Sequence, residues 1–286
     1  MIKKIIRRID NYILRKVISY KISDEVFVKY WNFRLKLNKL KIKFALNVRD
    51  LNTPRYQIID AELNKAKYFA YRGQGIYAFA DGIFKRGEKI GADYLLDQIS
   101  FNNGDFVFDI GANTGDLKIY FDNRNINVNY FGFEPGIEEY KALKLNNSGC
   151  HLFNFALGNN DTKKTFYYKP ETGDSSLIEM NNFEGSYEVE VKKISSVIEN
   201  EGLNEAVIKL IKLEAEGFEP EILQGLGKYI KNVQFISADL GFERGIAQET
   251  TAPEVINYLL GSGFEIMNIT NGRICVLFKN KNFKSS

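Results

Sequence analysis

The stretch FVFDIGANTGD, residues 106–116, joins an apolar run to a glycine-bearing turn through a single carboxylate. Phe106, Val107, Phe108 and Ile110 suit a strand buried on both faces of a parallel sheet. Gly111 and Gly115 bracket Asn113 and Thr114 and let backbone approach a ligand where a side chain would stand in the way. Asp109 falls at the carboxyl end of the strand, the edge at which open α/β sheets take their ligands. The dinucleotide fingerprint G-x-G-x-x-G and the phosphate loop G-x-x-x-x-G-K-[ST] are both absent, which argues against NAD and nucleoside triphosphates. What is left is a turn passing close to an uncharged or zwitterionic ligand, with Asp109 able to accept hydrogen bonds or face a cationic group.

Outward from this turn, VNYFGFEPGIEEYKAL, residues 128–143, repeats the pattern. An apolar strand ends in Glu134, Pro135 and Gly136 turn the chain, and a helix follows from Ile137. A carboxylate about twenty residues beyond a glycine turn, at the end of the next strand, can accept hydrogen bonds from both hydroxyls of a ribose. Capping of the following helix is the competing role for Glu134. S-adenosyl-L-methionine meets these demands.

The alternation continues along the chain. Strands at 106–110, 128–133 and 151–156, separated by helices at 116–123 and 137–146, imply a parallel sheet. Residues 165–168 and 187–193 alternate like paired strands around a polar segment, 170–182, that reads as a lid. A strand at 207–213 delivers Glu214 and Glu216 to the carboxyl edge, ahead of Gly217 and a helix at 220–225. Carboxylates at i and i+2 point the same way if the chain stays extended, and these two are the leading acid/base candidates, with Asp239 at the end of the strand 233–240. GFERG then brings Glu243 and Arg244 toward the same edge, as substrate ligands or as a surface ion-pair cluster. His151 begins its strand, belongs at the opposite edge and reads as structural. After a helix at 253–260, GFEIMNITNGRICVLFKN closes as a hairpin turning at Asn271 and Gly272.

Through FDIGANTGDL, FGFEP, NFALGN, GDSSL and IKLEAEGFEPEILQG, in that order, the chain resembles the FkbM family of S-adenosylmethionine-dependent methyltransferases, over roughly residues 68–277. The resemblance implies an α/β fold, a Rossmann-like class I methyltransferase sheet that is mostly parallel with an antiparallel C-terminal hairpin. It implies S-adenosyl-L-methionine as cofactor and O-methylation, by direct in-line transfer, of a small-molecule or glycan hydroxyl. It assigns Asp109, Gly111, Asn113, Thr114, Gly115, Glu134, Pro135, Ser176 and Glu214 to the cofactor, and sets Ala156 and Leu157 beside adenine. Asp174 and Ser175 would face the acceptor, and Tyr94 is a weaker contact. The chain makes two departures from the family pattern: Glu214 stands where aspartate is usual, and Ile194 and Ser195 where leucine and aspartate are. The first departure is the sequence support for the alternative, a non-catalytic membrane-associated scaffold with a ligand-binding methyltransferase-like domain.

At 286 residues and 44% hydrophobic content, the chain can hold one sizeable α/β domain, read as 61–286, behind a basic helical extension, 1–60. Within that extension the helical pattern runs to about Leu46, residues 48–60 read as a linker, and 61–71 resume a helical pattern. YRGQGIYAFADGIF, residues 71–84, reads as a hairpin or loop, and 90–99 as the helix leading into the sheet. Cys150 and Cys275 lack metal-ligand spacing, so neither a metal site nor a disulfide framework is expected, and a reducing, cytoplasmic compartment is favoured. No apolar run is long enough to span a bilayer. The first 49 residues hold fourteen Lys and Arg against three acids, and residues 1–20 set isoleucines at helical spacing among these cations. Two readings follow: peripheral contact with an anionic membrane at its inner face, or docking on the chain's own domain or a second subunit, with oligomeric state open. Nucleic acid is not an expected partner, since no Asn-Pro-Pro-Tyr or Asp-Pro-Pro-Tyr segment is present to hold a flipped base.

Overall fold

Apolar runs flanked by glycine turns become strands, and the intervening 3.6-residue patterns become helices, in the computed structural model, which describes residues 23–37, 40–46, 53–169, 175–270 and 272–283. Helix α1 (Asp24–Leu37) is followed by β1 (Ile42–Leu46), β2 (Tyr56–Asp60) and β3 (Lys65–Phe69), an antiparallel sheet in that order. Helices α2 (Arg72–Phe79) and α3 (Ile83–Asp93) lead to β4 (Phe106–Ile110), α4 (Leu117–Asn123), β5 (Asn129–Phe133), α5 (Ile137–Asn146) and β6 (His151–Phe153). A second small sheet comprises β7 (Ala156–Gly158), β8 (Thr162–Tyr168) and β9 (Gly185–Lys193), in the order β7-β9-β8. Then come α6 (Ile194–Asn200), β10 (Ile208–Leu213), α7 (Glu219–Gln224), β11 (Val233–Asp239), the short pair β12 (Phe242–Arg244) and β13 (Glu249–Thr250), α8 (Ala252–Gly261), β14 (Phe264–Ile269) and β15 (Cys275–Asn280).

The main sheet has the order β14-β15-β11-β10-β4-β5-β6, with parallel pairing throughout except that β15 runs antiparallel to both neighbours. This is the α/β, mostly parallel, Rossmann-like sheet expected, including the antiparallel C-terminal pair. Side-chain alternation along each strand divides the interior in two. Phe108, Ile110, Ile211 and Leu213 face a core closed by Val197 and Ile198 of α6, Ile222 of α7 and Val255 and Leu259 of α8. Val107 and Leu210 face the other, closed by Ile90 of α3 and Leu117, Tyr120 and Phe121 of α4. With both faces covered, the strands can be apolar nearly throughout.

The N-terminal region departs most from expectation. The helix ends at Leu37, and 42–46, 56–60 and 65–69 are strands rather than helix, linker and helix. The reason is a period of two: Ile42 and Phe44 face inward with Lys43 outward, and Tyr56, Ile58 and Asp60 face inward in turn. The division expected at 60/61 falls in the turn joining β2 to β3. Residues 72–79 form a helix, not a hairpin, because Gln74 Oε1 accepts the amides of Ala70 and Tyr71 (3.1 Å each) and so caps its start. The helix expected over 90–99 begins at Ile83 and stops at Asp93, where Leu95 takes a left-handed φ of 58°. The expected strand 151–156 is split, since Asn154 Nδ2 turns away to donate to the carbonyls of Glu134 (2.9 Å) and Pro135 (3.1 Å). Residues 1–20, with their basic amphipathic pattern, lie outside the described residues, as do Asp174 and Asn271. Among the described residues no helix is long and apolar enough to cross a membrane.

Candidate active site

Strand β4 lies between β10 and β5, so the chain leaves it in opposite directions and the loops beyond its carboxyl end separate into a crevice. Gly111 sits there with a φ of 69°, and a β-carbon at this position would collide with the Glu214 carbonyl. The loops from β4 and β10 are thus in backbone contact beneath a cavity of about 380 Å³. Its lining includes Asp109, Gly111, Asn113, Thr114, Glu134, Pro135, Ala156, Leu157, Ser175, Ser176, Glu214 and Glu216. These twelve, drawn from five separate segments, are all residues singled out in the sequence.

At the floor, Lys212 is buried and lies 3.1 Å from both Asp109 Oδ1 and Glu214 Oε2, while donating to the carbonyl of Gly111 (2.8 Å). Burial opposes its charge, but the two carboxylates outweigh burial and hold the ammonium protonated. Tyr130 donates to Asp109 Oδ2 (2.5 Å) and Tyr94 to Glu214 Oε2 (2.5 Å). Burial pushes the Asp109 carboxyl up, with Lys212 and Tyr130 pulling it back. For Glu214 the balance reverses: burial would raise it, but Lys212 and Arg273 hold it down at about 2. Arg273 pairs with Glu214 and with Asp239, bridging β10 and β11. A carboxylate bound this firmly is a poor proton acceptor and a good fixed hydrogen-bond acceptor.

Glu134 lies on the other side of the β4 turn. Its two oxygens accept the amides of Asn113 (2.8 Å) and Gly136 (2.7 Å), which orients the carboxylate toward the cavity. Burial, and secondarily Glu139, push its carboxyl up to about 8. Each oxygen retains a lone pair, so the group can accept two hydroxyls from a diol. Phe155, Ala156, Leu157, Phe218 and Ile222 line the apolar side of the same cavity, a surface suited to a flat ring. A glycine cradle, a diol acceptor, an apolar slot and buried carboxylates together fit S-adenosylmethionine.

Other expected positions fall elsewhere. Gly115 is behind the turn, where a β-carbon would strike the Asn147 amide, and it does not line the cavity. Glu216 has a φ of 50°, so Glu214 and Glu216 are not consecutive outward positions of one extended strand, although both reach the cavity wall. Asp239 is buried beneath Arg273 and accepts the Gly241 amide (3.2 Å). Arg244 is not presented to the cavity: it pairs with Glu221 (2.7 Å and 3.1 Å) and donates to the Gly217 carbonyl, which pins β12 to α7. Glu243 is half-buried outside the cavity, and burial followed by the charges of Asp239 and Glu214 pushes its carboxyl up to about 8. Ser176 donates to the Glu216 carbonyl (2.8 Å) and forms a bridge with Tyr167, tying the polar segment after β8 to the loop after β10. His151 is exposed at the amino end of β6 and stacks on Phe131, far from this edge.

Among the lining residues without an assignment from sequence are Lys212, Arg273 and Gln74. Lys212 alternates with Glu214 in IKLEAE, a spacing that was available. Arg273 follows from register: Asp239 pairs with Cys275, so a residue two positions earlier in the antiparallel strand lands at the same edge. Gln74, whose Nε2 donates to Asn113 Oδ1 (3.0 Å), has no local signal because its glycine- and aromatic-rich segment reads as a hairpin or loop.

The model of the FkbM methyltransferase domain matches residues 109–266, more than half of the chain. A comparison with curated protein sequences gave no match. Among solved structures, TrmK of M. capricolum in complex with S-adenosyl-homocysteine is 10% identical, with a TM-score of 0.39 over 68% of each chain. A putative tRNA methyltransferase of Streptococcus pneumoniae, in complex with S-adenosyl-L-methionine, is 12% identical with a TM-score of 0.39, over 71% of this chain and 75% of that one. A SAM-dependent methyltransferase from Aquifex aeolicus is 13% identical with a TM-score of 0.39, over 72% and 90%. The matched segment starts at Asp109 on the cavity floor and runs through Glu134, Lys212 and Glu214, and by that match the chain belongs to the FkbM family of S-adenosylmethionine-dependent methyltransferases.

Proposed function

We propose that this protein methylates a hydroxyl of a sugar, a glycan or a related metabolite by direct in-line transfer. The observation that carries the reading is the cavity wall at the carboxyl ends of β10 and β11, built from Glu214, Glu216 and Arg273, groups that hydrogen-bond hydroxyls. S-adenosylmethionine, when bound, supplies an electrophilic methyl group on a sulfonium centre. In this reading Glu134 accepts the ribose hydroxyls, while Phe155, Ala156 and Leu157 cover adenine. Asp109 and the backbone from Gly111 to Thr114 hold the methionine end, and Ser176 fixes the wall opposite. Glu214, ionised and clamped, orients the acceptor hydroxyl. Glu216, on the same wall, takes its proton. Asp239 acts by fixing Arg273, and Glu243 lies on the acceptor's approach. Arg244 has a structural role.

Release of S-adenosylhomocysteine from purified protein, screened against nucleotide sugars, lipid-linked glycans and small hydroxylated metabolites, tests the reaction. Turnover with a hydroxyl acceptor, reduced at least about a hundredfold by Glu216→Gln with cofactor binding retained, is the expected result. Turnover only with an amine or a nucleic-acid base would overturn the acceptor class. A peripheral location at the inner face of an anionic membrane, through residues 1–20, completes the proposal, since a lipid-linked glycan would then be within reach.

A further inference from the structure

Helix α1 is apolar on two sides, and among the described residues only one of them is fully covered, Tyr30 of the other being partly packed against the core. Phe27, Trp31 and Leu35, at i, i+4 and i+8, are buried in the ring cluster of Phe44, Tyr56 and Phe69. A second stripe, Val26, Tyr30, Phe33 and Leu37, follows i, i+4, i+7 and i+11; Val26 is 51%, Phe33 59% and Leu37 65% exposed. On a helix lying over a folded domain this side is ordinarily polar. Lys29 and Lys36 flank the stripe on one side and Arg34 on the other, its guanidinium 5.3 Å from the Trp31 ring centre. The two acids of the helix, Asp24 and Glu25, are confined to its first turn. The preceding 22 residues carry seven Lys and Arg and one acid.

We propose that the Val26–Tyr30–Phe33–Leu37 face of α1 docks on an anionic lipid bilayer, with its apolar side chains at the headgroup boundary and Lys29 and Lys36 against the lipid charges. Charge selects this occupant. A second copy of the helix, or residues 1–22 folded back, would set cations against cations, whereas an anionic surface neutralises them. The inference rests on the peripheral-membrane reading of residues 1–20 and adds a second contact on a folded element. That element is firmly held: Asp24 pairs with Arg55 and Arg72 and accepts the Tyr56 hydroxyl (2.7 Å), so α1 moves with the β-sheet beneath it.

Cosedimentation of the full chain with phosphatidylcholine vesicles, with and without phosphatidylglycerol, tests the proposal using a Phe33→Glu/Leu37→Glu variant and, separately, an Ile5→Glu/Ile9→Glu variant. The wild type is expected to sediment with the anionic vesicles alone, and less as salt rises. Phe33→Glu/Leu37→Glu should weaken partitioning at least about tenfold at unchanged melting temperature and unchanged cofactor affinity. Wild-type protein that ignores anionic vesicles overturns both membrane readings. Loss in the Ile5/Ile9 variant with full binding by the Phe33/Leu37 variant overturns the α1 contact alone. A dimer by light scattering that this α1 variant converts to monomer also overturns it, with a second copy as the occupant. Cofactor calorimetry is independent of every arm, so its failure would bear on methyl transfer only.

Discussion

Glu214 is held by Lys212 from its own strand, Arg273 from the β14–β15 connection and Tyr94 from beyond α3, and removing any of these changes what the carboxylate can do. Lys212→Met would leave Asp109 and Glu214 facing each other across a buried site without their shared cation. The expected cost is about 3–5 kcal/mol of stability, read as a lowered denaturant midpoint, together with loss of cofactor binding. Glu134 predicts a pH dependence of opposite origin. Its carboxyl is pushed up to about 8, so in the free protein much of it is protonated at neutral pH, whereas a carboxylate is the better acceptor for two ribose hydroxyls. Cofactor affinity measured by calorimetry should therefore rise as pH increases from about 6 toward 8 and level off above it. Glu134→Gln should flatten that slope and weaken binding about tenfold or more. A slope unchanged in the variant would assign it to another group. Glu134 was legible in the sequence because a strand, a carboxylate and a Pro-Gly turn are adjacent in the chain. Arg244 stays open in sequence between substrate ligand and ion pair because its partner, Glu221, is 23 residues away on another element.

At the scale of elements, β4, β5 and α5 fell close to their expected bounds because the two strands are apolar runs and the helix is bracketed by Pro135–Gly136 and Asn146–Asn147. The strands β1 to β3 did not, since each is five residues long, too short a span for a period of two to be told from a helical spacing. Their role emerges only in three dimensions. Asn146, at the end of α5, accepts the Tyr68 amide (2.7 Å) and donates to the carbonyls of Tyr68 and Thr114 (2.8 Å each). One side chain thus ties β3 to the cofactor loop, and Gln74 makes a second tie at Asn113. Asn146→Ala should weaken cofactor binding several-fold and raise hydrogen exchange at residues 112–115 with little effect on the main sheet. Equal exchange at those amides would mean that the loop holds itself.

The whole molecule joins its N-terminal cluster to the catalytic sheet through Ile119 of α4, which packs with Phe44, Phe79 and Ile83. The chain has one tryptophan, Trp31, and it lies in that cluster, distant in sequence from the cavity residues. Its fluorescence should report the same unfolding midpoint as far-ultraviolet circular dichroism if the two parts unfold as one. Cofactor at a hundred times its dissociation constant should then stabilise the tryptophan transition by about 2.7 kcal/mol. A tryptophan midpoint that ignores the cofactor would separate the N-terminal part as its own cooperative unit. The order of the main sheet carries one more consequence, for biosynthesis. β15 lies between β11 and β14, and its approach brings Arg273 onto Glu214 and Asp239. A nascent chain emerging from the ribosome can assemble β4, β5 and β10 early, but β14 has no neighbour in the sheet until β15 follows it. The site stays without its guanidinium until the last strand of the sheet is translated, and a chain truncated before residue 275 would expose the open edge of β11 to aggregation.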